Sequence, residues 1–319
     1  MRLGIIAQPK AESFDYAKKL GLDFLEFDCN YEMYFGRPLA DVQATLPEVK
    51  EASERTGVPV GAVGRWASPI IAADGGINPE EWTNVAGIID YGAALGAKHY
   101  LASAAWNPAL TYYGNITGAI KAYREIVAYA GARGMDVSIV NCMMGDNFVR
   151  TPEQWKLVLP EVPGLKIKYD PSHSFVHGGE KGRYLEEAME WGGAFGYVHI
   201  KGVIQRGLSD EPAHWEFYKL MRKHPELAEE LRDNPVFKNE ALAAGPDGQT
   251  GWAFAYAPTS YDNPPAGIDA INWRAFFAAL YQHGYDGDLS IEPHSATWHG
   301  DLGEKGVAYT VKYIRELML

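Results

Sequence analysis

The chain has 319 residues, 47% hydrophobic and 22% charged, which supports a packed core and excludes a chain disordered throughout. Lys+Arg 29 against Asp+Glu 41 leaves a net charge of −12. That balance argues against nucleic acid as the partner, because a duplex binder needs a basic face for the phosphates.

In chain order, short apolar runs alternate with amphipathic stretches. Leu3–Ala7 predicts a first strand, Ala11–Leu20 a helix closed by Gly21, and Phe24–Phe27 a second strand. Leu39, Val42, Leu46 and Val49 recur at helical spacing, so one helix is expected over Leu39–Arg55, opened or kinked by Pro47. Val58–Gly64 is the third expected strand. Asn78-Pro79-Glu80-Glu81 then combines a cap, a proline at the first helical position and acidic residues that suit the helix dipole. His99–Ala102 is the fourth strand, followed by a helix through Arg133 that ends at Gly134. Val137–Val140 is the fifth, with Thr151 and Gln154 spaced as a capping box behind it. Lys166–Tyr169, Tyr197–Ile200 and Leu289–Glu292 are the sixth, seventh and eighth strands. A helix from about Glu304 closes the chain.

Eight strand-then-helix units predict an α/β fold, a single-domain (β/α)8 TIM barrel over 1–319. No GxGxxG or Walker pattern supports an open nucleotide-binding sheet. One stretch is irregular. About seventy residues separate Lys201 from the helix expected at Trp273–His283, so an insertion is placed at 202–268 between strands seven and eight. It includes a charged helical piece (Trp215–Asp233) and a Gly/Pro/aromatic segment (Gly245–Pro265). Its aromatic residues include Trp215, Trp252, Tyr256 and Tyr261. The expectation is that it covers the site or meets a second copy or partner subunit, although a merely tolerated insertion is an equal alternative.

In a barrel of this kind the chemistry sits where strands end. The last three expected strands leave as Tyr169-Asp170-Pro171-Ser172-His173, His199-Ile200-Lys201 and Ile291-Glu292-Pro293-His294. Singly, an aspartate there can cap a helix, a histidine can satisfy the core and a glutamate can be solvated. Carboxylate, imidazole and carboxylate at three equivalent strand ends instead suit one divalent ion, Mn²⁺, Mg²⁺, Co²⁺ or Zn²⁺.

Asp170-Pro171-Ser172-His173, His199-Ile200-Lys201, Gly284-Tyr285-Asp286-Gly287 and Ile291-Glu292 resemble the xylose isomerase-like TIM barrels. Gly21-Leu22-Asp23-Phe24-Leu25-Glu26 and the Gly267-Ile268-Asp269 turn are similar to that superfamily as well. The group holds sugar isomerases and epimerases, inosose dehydratases and metal-dependent abasic-site endonucleases. The resemblance implies a divalent metal, Mn²⁺ foremost, on Asp170, His199, Glu292 and a fourth ligand. That ligand is normally a glutamate leaving strand five, where this chain has Val140; Asn141 is the substitute candidate, against a plain strand-end hydrogen bond. Gly202 stands where an aspartate often follows His-x-Lys.

In the isomerases of the family, two metal-bound carboxylates move a proton through an enediolate. Val140 removes one of them and leaves Glu292 as the expected base. Strand-end position adds His173, Lys201 and His294 as catalytic candidates, and Arg65, Trp66 and Glu26 as substrate contacts. For Glu26 the competing reading is a charge paired inside the barrel mouth. His177, His214, His224, His283 and His299 are taken as surface histidines.

The expected function is therefore a metal-dependent sugar isomerase or epimerase that removes a proton α to a carbonyl. The alternative is a lyase or dehydratase acting by β-elimination on a 3-keto sugar, keto-glycoside or inosose. An abasic-site endonuclease fits less well: strands three and four end in Gly64-Arg65-Trp66 and Ala102-Ser103, with no histidine for a zinc cluster. A non-catalytic subunit is the last alternative. The run Leu3–Ala7 stops at Gln8-Pro9-Lys10, short of an export signal, and no apolar stretch reaches the ~18 residues of a membrane span. Two cysteines, Cys29 and Cys142, suit a reducing compartment. The expected setting is the cytoplasm, with a small sugar as partner and neither membrane nor nucleic acid.

Overall fold

Eight parallel strands close on themselves in the computed structural model, which describes residues 1–29, 38–142, 147–178, 183–205, 261–293, 295 and 297–319. They are β1 (Arg2–Ala7), β2 (Phe24–Asp28), β3 (Val60–Ser68), β4 (His99–Ala105), β5 (Asp136–Val140), β6 (Leu165–Tyr169), β7 (Phe195–Ile200) and β8 (Asp288–Ile291). Each pairs with the next in the chain, and β8 pairs with β1 through Gly4↔Ser290, so no sheet edge is left in the barrel. The outer layer is α1 (Ala11–Leu20), α2 (Leu39–Ala44), α3 (Leu46–Thr56), α4 (Pro79–Ala94) and α5 (Tyr112–Gly131). It continues with α6 (Pro152–Val158), α7 (Pro171–Gly178), α8 (Arg183–Trp191), α9 (Trp273–Gln282) and α10 (Gly300–Leu317).

Strands covered on both faces need apolar residues at almost every position. Alternation then sorts them into two layers. Leu3, Ile5, Leu25, Phe27 and Val63 join the large core under the helices, while Phe24, Ala62, Leu101 and Tyr197 form a small separate core inside the barrel. Two glycines make that inner core fit. A Cβ on Gly4 would stand 2.4 Å from the Phe24 ring, and one on Gly64 would stand 2.5 Å from the Trp66 ring.

The local signals act as the chain predicts, with two exceptions. Asn78 accepts from the backbone of Glu80 and Glu81, and Thr151 with Gln154 forms the capping box. The single helix expected over Leu39–Arg55 is two helices. Pro47 has no N–H for the carbonyl four residues back, so the turn breaks at Thr45, whose hydroxyl donates to the Val42 carbonyl at 2.7 Å. The third strand is also longer than Val58–Gly64 suggests. It runs on through Arg65 and Trp66 because Arg65 pairs with Ala102 and Ser68 with Ala104 across a register shift. Ala67 takes φ 47° at that shift, and its N–H donates to Ser103 Oγ (2.6 Å) and Asn147 Oδ1 (3.1 Å).

The chain enters and leaves the expected insertion through a small antiparallel ribbon, Ile204–Gln205 against Tyr261–Asp262. Tyr261 donates to the Val176 carbonyl of α7. The helical piece Trp215–Asp233, with His214, Trp215 and His224, lies outside the described residues, as do Trp252 and Tyr256. Among the described residues, no helix is long and apolar enough to cross a membrane.

Candidate functional site

Asp170 follows β6 and opens α7. One carboxylate oxygen, Oδ1, accepts from the Ser172 N–H at 2.8 Å, as a helix cap does. The other, Oδ2, is buried with no hydrogen-bond partner among the described residues, and His173 Nε2 stands 3.4 Å away. A buried acceptor left in that state is costly unless something positive meets it. One oxygen therefore serves as the cap, and the other has no hydrogen bond that would compete with ligation.

His199, inside β7, and Glu292, one residue beyond β8, complete the group. Ligand atoms of Asp170, His199 and Glu292 lie within 4.8 Å of one another, and all three residues are buried. His199 Nδ1 meets Glu292 Oε2 at 2.5 Å, and Lys201 Nζ donates to Glu292 Oε1 at 2.9 Å. On the opposite edge of the ring, His199 Nε2 meets Glu26 Oε2 at 2.8 Å and Oε1 at 3.0 Å. Two carboxylates and an imidazole facing one point form a donor set that suits a divalent cation, and the orphaned Asp170 oxygen fits it.

Charge around the site follows from this pairing. Burial alone would raise the Glu26 carboxyl, but His199 and Lys168 outweigh it and bring its pKa down to about 2. Burial would lower the His199 imidazole, and the facing Glu26 carboxylate lifts it above the ordinary histidine value instead. His173 behaves in the same way. Burial pulls it down, while Cys142 and Asp170 raise it beyond the effect of burial and of nearby Lys201.

The remaining expected residues divide. Lys201 and His173 are in the site. Asn141 is not arranged as a ligand: its Oδ1 accepts from the Asp170 N–H at 2.8 Å, and its Nδ2 donates to the Asp170 carbonyl (2.9 Å) and Ser174 Oγ (3.2 Å). It ties the end of β5 to the start of α7, the strand-end hydrogen bond weighed against ligation. Val140 is buried and pairs in register with Lys168. Arg65 is paired with Glu81 of α4, which Nε and Nη2 grip at 2.6 and 2.8 Å. Trp66 does reach the barrel interior, with its ring centre 3.9 Å from Lys168 Nζ. Glu26 is paired within the barrel, fully buried against His199 and Lys168. His294 and the Met143-Met144-Gly145 segment lie outside the described residues. His283 is at the surface side of α9, against the Met189 carbonyl.

Two participants escaped the sequence reading, Lys168 and Cys142. Alternation held the signal for the first: Lys166, Lys168 and Asp170 share one face of β6, so an inward Asp170 places Lys168 inward too.

A family model described as xylose isomerase-like TIM barrel matches residues 14–317. No curated protein sequence matches the chain. Among solved structures, D-allulose 3-epimerase from Methylomonas sp. is similar with a TM-score of 0.61 and 14% identity, over 100% of this chain and 98% of that one. The 3-keto-D-glucoside 4-epimerase of E. coli gives 0.62 and 15%, over 99% of each chain. A xylose isomerase-like TIM barrel protein from Mycobacterium smegmatis in complex with magnesium gives 0.61 and 16%, over 96% of this chain and 87% of that one. At these identities the likeness is one of fold.

Proposed function

Because the chain belongs to the xylose isomerase-like TIM barrel family, we propose that it is a divalent-cation-dependent enzyme of the sugar isomerase/epimerase kind. Its reaction on this reading is removal of a proton α to the carbonyl of a sugar or keto-sugar. The observation that carries the reading is the convergence of Asp170, His199 and Glu292, with Asp170 Oδ2 buried and lacking a hydrogen-bond partner among the described residues. These three side chains would hold the cation, Mn²⁺ foremost among the hard and borderline ions that such donors accept. A bound divalent cation supplies polarisation of the substrate carbonyl and charge stabilisation of the enolate.

The chain's own residues supply the rest. Glu292 is the base at that centre, and Lys201, which donates to its Oε1 at 2.9 Å, orients it. His173, 3.4 Å from Asp170, is the proton donor on this reading. Trp66 offers an apolar face to a sugar ring, with Lys168 behind it.

Val140 favours a second reading. A buried valine occupies the strand position from which the family's second carboxylate leaves, so a symmetric two-carboxylate shuttle has no partner on β5. One base with a separate acid suits β-elimination from a 3-keto sugar, keto-glycoside or inosose. Incubating the protein with Mn²⁺ and a panel of keto-sugars and inososes in D₂O separates the cases. Deuterium gained at the α carbon without loss of water supports the isomerase or epimerase. Loss of water with new ultraviolet absorbance supports the lyase. Absence of α exchange across the whole panel would remove the proton-abstraction reading.

A further inference from the structure

Beneath the candidate cation ligands, the barrel interior holds a closed chain of buried polar groups. Glu26 of β2 is 0% exposed, Tyr197 0%, His199 1% and Lys168 2%, so all four are removed from water. Both carboxylate oxygens of Glu26 meet inward-facing polar groups. Lys168 Nζ stands 3.1 Å from Oε1, Tyr197 OH donates to Oε2 at 3.0 Å, and His199 Nε2 meets both oxygens. Apolar neighbours Phe24, Ala62 and Leu101 pack against Tyr197 below. A carboxylate and an ammonium inside such a core are expensive to bury, and removing one partner leaves the other uncompensated.

We propose that Glu26 is a positioning residue, which holds His199 by Nε2 and thereby presents Nδ1 to the cation. This rests on the cation reading given above. An imidazole that ligates through one nitrogen carries its proton on the other, and a carboxylate accepting that proton fixes both tautomer and ring plane. Here the two ring nitrogens face different partners: Nδ1 faces Glu292, and Nε2 faces only Glu26 among the contacts described for it. Glu26 is not itself a ligand in this geometry, because it lies on the edge of the ring opposite the atoms that converge. Lys168 and Tyr197 keep it there. They engage both of its oxygens, so the carboxylate cannot swing up to compete for the cation. Lys168 is held in turn under the face of Trp66. The strand-two glutamate thus works through the histidine three elements round the barrel.

The test uses the full-length protein and Mn²⁺ titration by calorimetry, with circular dichroism and thermal melting in EDTA to check the fold. Glu26→Ala should weaken Mn²⁺ binding by about 10- to 100-fold, the usual effect of losing such a partner. Glu26→Gln, which retains an acceptor for the Nε2 proton, should recover part of that loss. Glu26→Ala binding Mn²⁺ as tightly as the wild type would overturn the proposal while leaving the cation site intact. A wild-type protein that takes up no Mn²⁺ would instead overturn the cation reading, and this proposal with it. If Glu26→Ala does not fold, nitrogen NMR of His199 in the Zn²⁺-loaded wild type decides the matter. A proton on Nε2 supports the assignment, and a proton on Nδ1 refutes it.

Discussion

At the scale of single residues, side chains of the candidate site meet more than one partner. Asp170 caps α7 with one oxygen, while the other is buried with no hydrogen-bond partner among the described residues. Asp170→Ala should therefore abolish Mn²⁺ uptake and also weaken the start of α7, by about 1 kcal/mol for the lost cap; calorimetry reads the first and melting in EDTA the second. His173 touches Asp170 without being one of the three converging groups. His173→Gln should lower kcat by about 100-fold or more, the usual contribution of a positioned acid, with Mn²⁺ affinity close to wild type. Equal losses in both would make His173 a ligand support rather than an acid. Arg65 at the end of β3 is tied to a buried acidic partner. Glu81 binds it at two points and also accepts from Ser68 Oγ and Asn84 Nδ2.

At the scale of elements, that Arg65–Glu81 pair joins β3 to α4. Burial would raise the Glu81 carboxyl, but Arg65 together with the Ser68 and Asn84 hydrogen bonds brings it below its ordinary value of 4.5. A depressed carboxyl gives stability that is present above the unfolded pKa and lost as pH falls through the folded one. Wild-type stability should thus fall between about pH 4.5 and the lower folded value, and Glu81→Gln should show a shallower fall over the same interval in denaturant titrations. Arg65→Met leaves Glu81 buried and uncompensated, so a loss of about 3 kcal/mol near neutral pH is expected. The inner core has a separate tolerance. A Cβ on Gly4 would meet the Phe24 ring at 2.4 Å, so Gly4→Ala should cost about 1–3 kcal/mol as an overpacked position, read by chemical denaturation.

At the scale of the whole molecule, closure of the barrel brings together side chains far apart in sequence. Glu26 of β2 and His199 of β7 are separated by 173 residues yet share a hydrogen bond inside the barrel. Arg2 grips Asp288 at 2.9 and 2.6 Å, where the first and last strands meet. A cation bound by Asp170, His199 and Glu292 would tie β6, β7 and β8 together and favour the closed form. At a free Mn²⁺ concentration of 100 times Kd, binding to the native state alone adds about 2.7 kcal/mol. The melting temperature should rise with Mn²⁺, return with EDTA, and fail to rise in Asp170→Ala. A wild-type melting point indifferent to Mn²⁺ would count against the site.

Much of this was present in the chain itself. The eight strand–helix units, the Asn78 cap, the Thr151–Gln154 box and the Asp170/His199/Glu292 triad all follow from local pattern, because periodicity and capping are set within a few residues. Pro47 signalled the break at Thr45, though not that it separates two helices. Tertiary structure alone decided which partner each buried charge meets. Arg65 turns to Glu81 because β3 continues alongside β4, Asn141 clamps Asp170 because β5 lies beside β6, and Lys168 meets Glu26 across the barrel. The reason is distance: a side chain's place on a strand fixes which face it takes, whereas the charges across that face are set only when the sheet closes.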